Sequence, residues 1–125
     1  MGNYETIVLE VSGGIATLTV NRPEVRNALG QQTVEEIHSV LRELAAREDA
    51  GVLILTGAGD KAFVSGADIR EIRQRGKREA LEAINQELFT AVENFRLAVI
   101  AAVNGYALGG GCRSEERRVG KECRL

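Results

Sequence analysis

Two glycine-rich segments are the parts of this sequence best suited to chemistry. They are Phe63-Val-Ser-Gly-Ala-Asp-Ile69 and Asn104-Gly-Tyr-Ala-Leu-Gly-Gly-Gly111. Each follows residues typical of a buried strand and precedes a segment predicted to be helical. Glycine allows the backbone to approach a ligand closely because it has no Cβ. Two such turns can direct two backbone N–H groups at one point, which predicts a site that stabilises a carbonyl oxygen as it becomes negative.

The composition is that of a small globular domain. The 125 residues are 44% hydrophobic, 27% charged and only 4% aromatic, so the predicted core is aliphatic. The formal net charge of −2 gives no argument for binding nucleic acid. No apolar run is long enough to cross a bilayer, and the N-terminus lacks a secretory pattern. Cys112 and Cys123 form no disulfide framework, so we expect a reducing, cytoplasmic setting.

The first element of the fold that must position the two glycine-rich segments is a predicted hairpin. Thr6–Val11 and Ile15–Val20 are rich in β-branched residues and flank Gly13-Gly14. Thr33 and Glu36 have the spacing of a capping box, which predicts the start of a helix. Apolar residues at three- and four-residue spacing predict its buried face, namely Val34, Ile37, Leu41 and Leu44.

The rest of the sequence predicts two strands and two helices. Gly51–Thr56 and Val99–Val103 are continuous apolar runs, typical of strands covered on both faces. Asp68 can cap a short helix that we predict to extend to about Arg75. A longer amphipathic helix is predicted over residues 78–95. The predicted order, β-β-α-β-α-α-β, indicates an α/β architecture.

Three blocks occur in order along the chain. They are Asn21-Arg-Pro23 with Asn27-Ala-Leu29, then Ala62-Phe-Val-Ser-Gly-Ala-Asp-Ile-Arg70, then Ala101-Ala-Val-Asn-Gly-Tyr-Ala-Leu-Gly-Gly-Gly-Cys112. Together they resemble the enoyl-CoA hydratase/isomerase family, also called the crotonase family. The resemblance implies a crotonase-like (ClpP/crotonase) α/β fold, a superhelical spiral of β-β-α units that is incomplete in this chain. It also implies a parent enzyme that assembles as a homotrimer or hexamer.

For the site, the resemblance implies a CoA thioester substrate and an oxyanion hole formed by the N–H groups of Ala67 and Gly110. Two fixed donors stabilise an enolate-like thioester oxygen more than the neutral substrate, which lowers the barrier. Arg26 is a weaker candidate for a contact with CoA, and Gly110 also belongs to the binding region. The stretch that lines the CoA path in the family is occupied here by Ser65, Ala67, Asp68, Ile69 and Arg70.

The roles within this stretch differ. Arg70 stands where the family usually has lysine and would keep a positive charge near the CoA phosphates. For Asp68 we favour a capping role over catalysis. Because CoA is part of the substrate, the resemblance implies no separate cofactor, and it implies no metal.

The chain departs from the family pattern after Cys112. Arg113 stands where hydratases of the family have a glutamate, and a second glutamate belongs to a region that this sequence does not contain. Residues 113–123 can be back-translated into a common sequencing-adapter sequence; the alternative is a genuine basic tail. We therefore predict that residues 1–112 are the N-terminal part of a crotonase-fold domain and that residues 113–125 are a non-native tail.

These features favour an enoyl-CoA hydratase, which adds water to a 2-enoyl-CoA, and the fragment itself is expected to be inactive. Within the same family, an isomerase, hydrolase, decarboxylase or dehalogenase remains an alternative, because the distinguishing acid and base groups would lie beyond this sequence. Two further alternatives are a non-catalytic module that binds CoA or a nucleotide and a purely structural α/β fragment.

Overall fold

The computed structural model describes residues 4–59, 62–65, 68, 71, 78–104 and 106–107. It contains a four-stranded sheet in the order β1-β2-β3-β5 and a two-stranded sheet of β4 and β6. The strands are β1 (Ile7–Ser12), β2 (Gly14–Val20), β3 (Ala50–Gly57), β4 (Ala62–Val64), β5 (Ala98–Ala101) and β6 (Tyr106–Ala107). The α/β fold class predicted from the sequence is confirmed, and its crotonase-like character is taken up with the site below.

Two long helices pack with the larger sheet. They are α1 (Gln31–Ala46) and α2 (Arg78–Glu93), each of 16 residues. A short 3-10 turn over Pro23–Val25 joins β2 to α1. The helix predicted over residues 78–95 is therefore confirmed to within two residues. Among the described residues, no helix is both long and apolar enough to cross a membrane.

The hairpin of β1 and β2 follows directly from the sequence. Ile7 pairs with Val20 at the open end and Ser12 pairs with Ile15 beside the turn. The two turn residues, Gly13 and Gly14, have φ of 59° and 81°, which the tight two-residue turn requires. The chain crosses over through α1 between β2 and β3, and through β4 and α2 between β3 and β5, so that β3 and β5 add to the sheet in parallel.

The core lies between the larger sheet and the two helices. The apolar face predicted for α1 is confirmed, because all four of its predicted residues are buried. Alternate residues of β2 are also buried, as expected for a strand with one covered face. The largest side chains that are almost fully buried are Phe63, Leu18, Leu29, Leu44, Leu53 and Leu88.

The predicted capping box at the start of α1 is wrong. The helix begins at Gln31, and Gly30 occupies the N-cap position without a side-chain cap. The Gln31 N–H instead donates to both carboxylate oxygens of Glu71, at 3.0 and 3.2 Å, so a distant residue supplies the cap. Thr33 lies inside the helix, where it is fully buried. Glu36 does not cap the helix start; its carboxylate accepts hydrogen bonds from the backbone N–H groups of Glu5 and Thr6 in the N-terminal segment.

The other end of α1 is also closed by a distant residue. The Arg96 guanidinium donates to the carbonyl oxygens of Leu44 at 3.1 Å, Ala45 at 3.3 Å and Arg47 at 2.8 Å. These carbonyls lie at the end of a helix, where the regular i to i+4 partners run out, and the Leu44 carbonyl also accepts the Arg47 N–H at 3.2 Å. A carboxylate at the N-terminus of α1 and a guanidinium at its C-terminus both complement the helix dipole.

The predicted order of elements lacked two strands, β4 and β6, which are only three and two residues long. For the short helix predicted from Asp68 to about Arg75, only Asp68 and Glu71 are described. Glu71 is helical, and its N–H donates to Asp68 Oδ1 at 3.4 Å, as expected of an N-cap. The remainder of that predicted helix lies outside the described residues.

Candidate functional site

The two glycine-rich segments contain residues of two neighbouring parallel strands, β4 and β6. In the smaller sheet, Ala62 pairs with Tyr106 and Val64 pairs with Ala107, with a register shift between the two pairs. Neighbouring strands are separated by about 4.8 Å. Because the strands are parallel, the chain leaves both at the same edge of this sheet. Ala67 and Gly110 lie outside the described residues, but each follows a member of the pair Val64–Ala107 by three positions.

Asn27 connects the turn before α1 to the start of β4. It is 1% exposed and has a φ of 57°, in the left-handed region that asparagine tolerates better than most residues. Its Oδ1 accepts from the Arg22 N–H at 2.9 Å. Its Nδ2 donates to the carbonyl oxygens of Ala58 at 3.1 Å and Ala62 at 2.8 Å. The Asn-Ala-Leu block therefore holds the strand that leads into the first glycine-rich segment.

Asp68 is tied to the same turn through its backbone and its side chain. Its N–H donates to the Leu29 carbonyl at 3.0 Å, and its carboxylate pairs with Arg22 at 2.9 Å. Arg22 also donates to the Ala28 carbonyl at 2.7 Å. These internal contacts agree with the structural role favoured for Asp68. A contact between Asp68 and CoA stays a prediction.

Asn104 connects the start of the second glycine-rich segment to the end of β3 in a similar way. Its Nδ2 donates to the carbonyl oxygens of Gly57 at 2.8 Å and Gly59 at 2.6 Å. Its Oδ1 accepts from the Gly57 N–H at 3.2 Å. The start of the segment that leads to β6 is thus attached to the carboxyl end of β3.

The other predicted site residues are distributed as follows. Ser65 is half-buried directly after β4, and Arg26 is exposed, with a φ of 55°. Asn27 and Asp68 are joined through Arg22, whereas Ser65 is near them only through β4, which it follows in sequence. Ile69 and Arg70, like both predicted oxyanion donors, lie outside the described residues.

Arg22, Asn27, Glu71 and Asn104 were not assigned roles by the sequence analysis. The available signal was weak but real: Asn27 and Asn104 are polar residues inside blocks that are otherwise apolar or glycine-rich. A buried amide in such a place must have hydrogen-bond partners. The identity of those partners depends on contacts between residues 31 to 47 positions apart, which spacing alone does not reveal.

An apolar cavity lies next to β4, between the larger sheet and the helices. It is open to solvent, and its empty space together with that opening amounts to about 380 Å³. Side chains from β2, β3, β4 and both helices line it, including Val20, Leu55, Phe63, Val64 and Phe89. In the described part of the chain, no group of three or more His, Cys, Asp or Glu residues is placed to hold a metal ion.

The paired parallel strands, each leading into a glycine-rich segment, agree with the crotonase-like α/β fold that the sequence resemblance implies. Comparison with known families agrees, because the model of the family described as enoyl-CoA hydratase/isomerase matches residues 10–114. The chain belongs to the enoyl-CoA hydratase/isomerase family.

Individual relatives show how much of such a protein is present. The chain is 44% identical over 111 residues to a crotonyl-CoA hydratase of Syntrophomonas wolfei, covering 87% of this chain and 43% of the relative. It is 42% identical over 108 residues to a short-chain-enoyl-CoA hydratase of Clostridium acetobutylicum, covering 85% and 41%. The chain therefore spans less than half the length of these relatives.

Solved structures give the same result for the fold. A crystal structure of an enoyl-CoA hydratase from Bacillus anthracis matches with a TM-score of 0.83 at 31% identity, covering 88% of this chain and 44% of the other. An enoyl-CoA hydratase/isomerase from Xanthobacter autotrophicus matches with a TM-score of 0.83 at 29% identity, covering 90% and 43%. The crotonase-like fold predicted from the resemblance is confirmed.

Proposed function

We propose that this chain supplies the acyl-CoA-binding and oxyanion-stabilising part of an enoyl-CoA hydratase. The observation that supports this most directly is the parallel pairing of β4 with β6. Because these strands are adjacent and parallel, the chain leaves them at the same edge of the small sheet, three positions before Ala67 and Gly110 in the sequence. Two backbone N–H groups at such a place can act on one thioester oxygen.

The chemical role of these two groups follows from charge. When water adds to the β-carbon of a 2-enoyl thioester, negative charge moves onto the carbonyl oxygen, and the α-carbon must then receive a proton. Two N–H donors stabilise the charged oxygen more than the neutral carbonyl, which lowers the barrier. The loss of one such donor costs on the order of 3 kcal/mol in other enzymes.

The substrate class is proposed from the relatives. Those named crotonyl-CoA hydratase and short-chain-enoyl-CoA hydratase are the basis for a short 2-enoyl chain. The CoA part would contact Ser65, Ile69 and Arg70, with Arg26 as a further candidate, and Asp68 would support this stretch rather than react. CoA enters as part of the substrate, and the whole protein would be a cytoplasmic homotrimer or hexamer.

Binding without turnover is the expected behaviour of these 125 residues alone. Arg113 stands where a hydratase of the family has its first glutamate, so the carboxylate that activates water is missing at that position. The same binding region would also serve the isomerases, hydrolases and decarboxylases of the family. Hydratase is favoured among these because both relatives compared above carry that name.

The proposal is tested with a conjugated 2,4-dienoyl-CoA. Polarisation of its carbonyl oxygen moves the absorption of the conjugated system to longer wavelength, which separates oxyanion binding from mere attachment of CoA. We expect this red shift with the chain, no shift with free CoA added first in excess, and no loss of the diene by hydration. Ala67→Pro removes the first proposed donor and should abolish the shift, whereas Ala67→Ser retains it. A dienoyl-CoA that binds without any red shift would contradict the proposal.

A further inference from the structure

The turn Gly57–Gly59, between β3 and β4, is held by two asparagine side chains from distant parts of the chain. Asn27 donates to the Ala58 carbonyl at 3.1 Å. Asn104 donates to the carbonyls on either side, those of Gly57 and Gly59, at 2.8 and 2.6 Å. All three consecutive carbonyls of the turn therefore accept a hydrogen bond from an asparagine amide.

The same turn is in direct contact with β4. A Cβ placed on Gly57 would lie 2.7 Å from both the Ala62 carbonyl oxygen and Asn27 Nδ2, and closer still to the Phe63 carbonyl oxygen. Real Cβ atoms do not approach other atoms this closely, so the close packing requires glycine. A displacement of the turn must therefore move β4, Asn27 or both.

We propose that Asn27 and Asn104 are positioning residues that fix the two oxyanion-donor segments relative to one another, with Gly57–Gly59 as their common support. Asn27 holds the Ala62 carbonyl at the start of the strand that leads to Ala67. Asn104 begins the segment that leads to Gly110. The inference rests on the proposed function, because it concerns the distance between the two donors of that site.

The amide group explains why asparagine is used at both positions. Each side chain donates to two backbone carbonyls through Nδ2 and accepts a backbone N–H through Oδ1. An aspartate has the same shape but offers only acceptors, so it would place a carboxylate oxygen against two carbonyl oxygens. An N–H group forms a good hydrogen bond only when its nitrogen lies within a few tenths of an ångström of the optimal distance to the acceptor oxygen. A small shift of either segment should therefore weaken the polarisation of a shared oxygen.

The first test observes the donor amides directly in the full 125-residue chain labelled with ¹⁵N. We expect Asn104→Asp to move the amide resonance of Ala67, and Asn27→Asp to move that of Gly110, since each change is transmitted through the turn. Asn94→Asp is the matched control, because Asn94 is exposed at the end of α2 and should move neither resonance. If both cross-effects are absent while the turn amides shift, the inference is wrong.

Should an aspartate variant fail to fold, Asn27→Gln and Asn104→Gln keep a neutral amide and lengthen it by one methylene group. The same two cross-effects are expected from them, and their absence equally overturns the inference. This comparison needs no ligand, so it decides the question even where the chain binds no acyl-CoA.

The second test uses the red shift of the bound 2,4-dienoyl-CoA. A positioning role predicts that Asn104→Asp and Asn104→Gln reduce the shift to about half or less while the dissociation constant rises no more than about threefold. A purely structural role would lower the amount of bound ligand and leave the shift of the bound fraction unchanged. Absence of the shift in the unsubstituted chain would count against the proposed function alone, because the amide resonances test the positioning role separately.

Discussion

Two buried polar residues show opposite solutions to the same physical problem. Asn27 is 1% exposed, and its amide has three hydrogen-bond partners. Thr33 is 0% exposed, and its hydroxyl has no hydrogen-bond partner among the described residues. A buried polar group costs free energy unless it is hydrogen-bonded. Asn27 therefore stabilises the region that it connects, whereas the Thr33 hydroxyl lowers the stability of α1.

Replacing Thr33 by valine should stabilise the protein by about 1 kcal/mol, because it removes an unsatisfied hydroxyl and keeps the side-chain volume. Threonine and valine have similar helix propensities, so the substitution does not change the intrinsic stability of the helix. Thr90→Val is the matched control, since the exposed Thr90 hydroxyl donates to the Gln86 carbonyl at 3.0 Å. The free energy of unfolding in urea measures both changes. Destabilisation by Thr33→Val would show that the hydroxyl has a favourable interaction after all.

Removal of one partner from the ion pair between Arg22 and Asp68 should be costly, because the side chains are only 15% and 6% exposed and the remaining group would be left largely buried. Asp68→Asn leaves a largely buried guanidinium without its counter-charge, and we expect a loss of about 3 kcal/mol in the free energy of unfolding. Asp49→Asn provides the control, because the pair of Asp49 with Arg47 is much more exposed, at 56% and 28%. Equal losses in urea unfolding for the two variants would contradict this ranking.

At the scale of elements, the residues just before β1 are attached to α1 by several hydrogen bonds, three of which go to the carboxylate of Glu36. Glu36 accepts from the N–H groups of Glu5 at 2.8 Å and Thr6 at 2.9 Å, and from the Thr6 hydroxyl. Partial burial acts to raise the Glu36 pKa, but these hydrogen bonds outweigh it, and the pKa is lowered from its ordinary value. The charged form of Glu36 is therefore the form that holds β1 beside the helix.

The sign of the pH dependence follows from this lowered pKa. The stabilisation is complete above the ordinary pKa of a glutamate, about 4.3, and is lost as the pH falls through the still lower pKa of the folded state. We expect hydrogen exchange at the Thr6 amide to accelerate over that acid range, after correction for the intrinsic exchange rate. Glu36→Gln should make the corrected rate high and independent of pH there. Glu10→Gln, at an exposed position of β1, is the control and should retain the acid-dependent acceleration.

The elements differ in how far the sequence could predict them, for physical reasons. Periodicity predicted the buried face of α1 and most of α2, because both helices are long enough to show a regular apolar pattern. The strands β4 and β6 have three and two residues, too few for any period. The capping box failed because a local pattern competed with Glu71, a residue 40 positions away. The two glycine-rich segments could be recognised, but the pairing of their strands is a tertiary contact.

At the scale of the whole molecule, the larger sheet has one covered face and one face with exposed apolar side chains. Val8, Ile15 and Ile100 are 42%, 44% and 52% exposed, respectively. These residues belong to β1, β2 and β5, so they extend across the sheet. The chain spans less than half the length of its relatives. An exposed apolar area of this kind favours association with another surface.

We expect the 125-residue chain to self-associate as its concentration rises, and Ile100→Lys to reduce this association by placing a charge on the exposed apolar face. Gln86→Lys adds the same charge at an exposed position of α2 and should have little effect. Sedimentation velocity over a range of concentrations distinguishes the two variants. Indistinguishable sedimentation of Ile100→Lys and Gln86→Lys would mean that this face does not mediate the association.

The closure of α1 by Glu71 and Arg96 has a consequence for how the protein is made. A nascent polypeptide emerges from the ribosome with its N-terminus first, so α1 leaves the exit tunnel well before either residue that closes its ends. Arg96 follows Leu44 by 52 positions. Until that arginine has been translated and released, the carbonyls of Ala45 and Arg47 lack the guanidinium that they bind in the folded protein, and the end of the helix can fray. Co-translational folding of this domain should therefore be completed late, when the residue that closes the C-terminal end of α1 has left the exit tunnel.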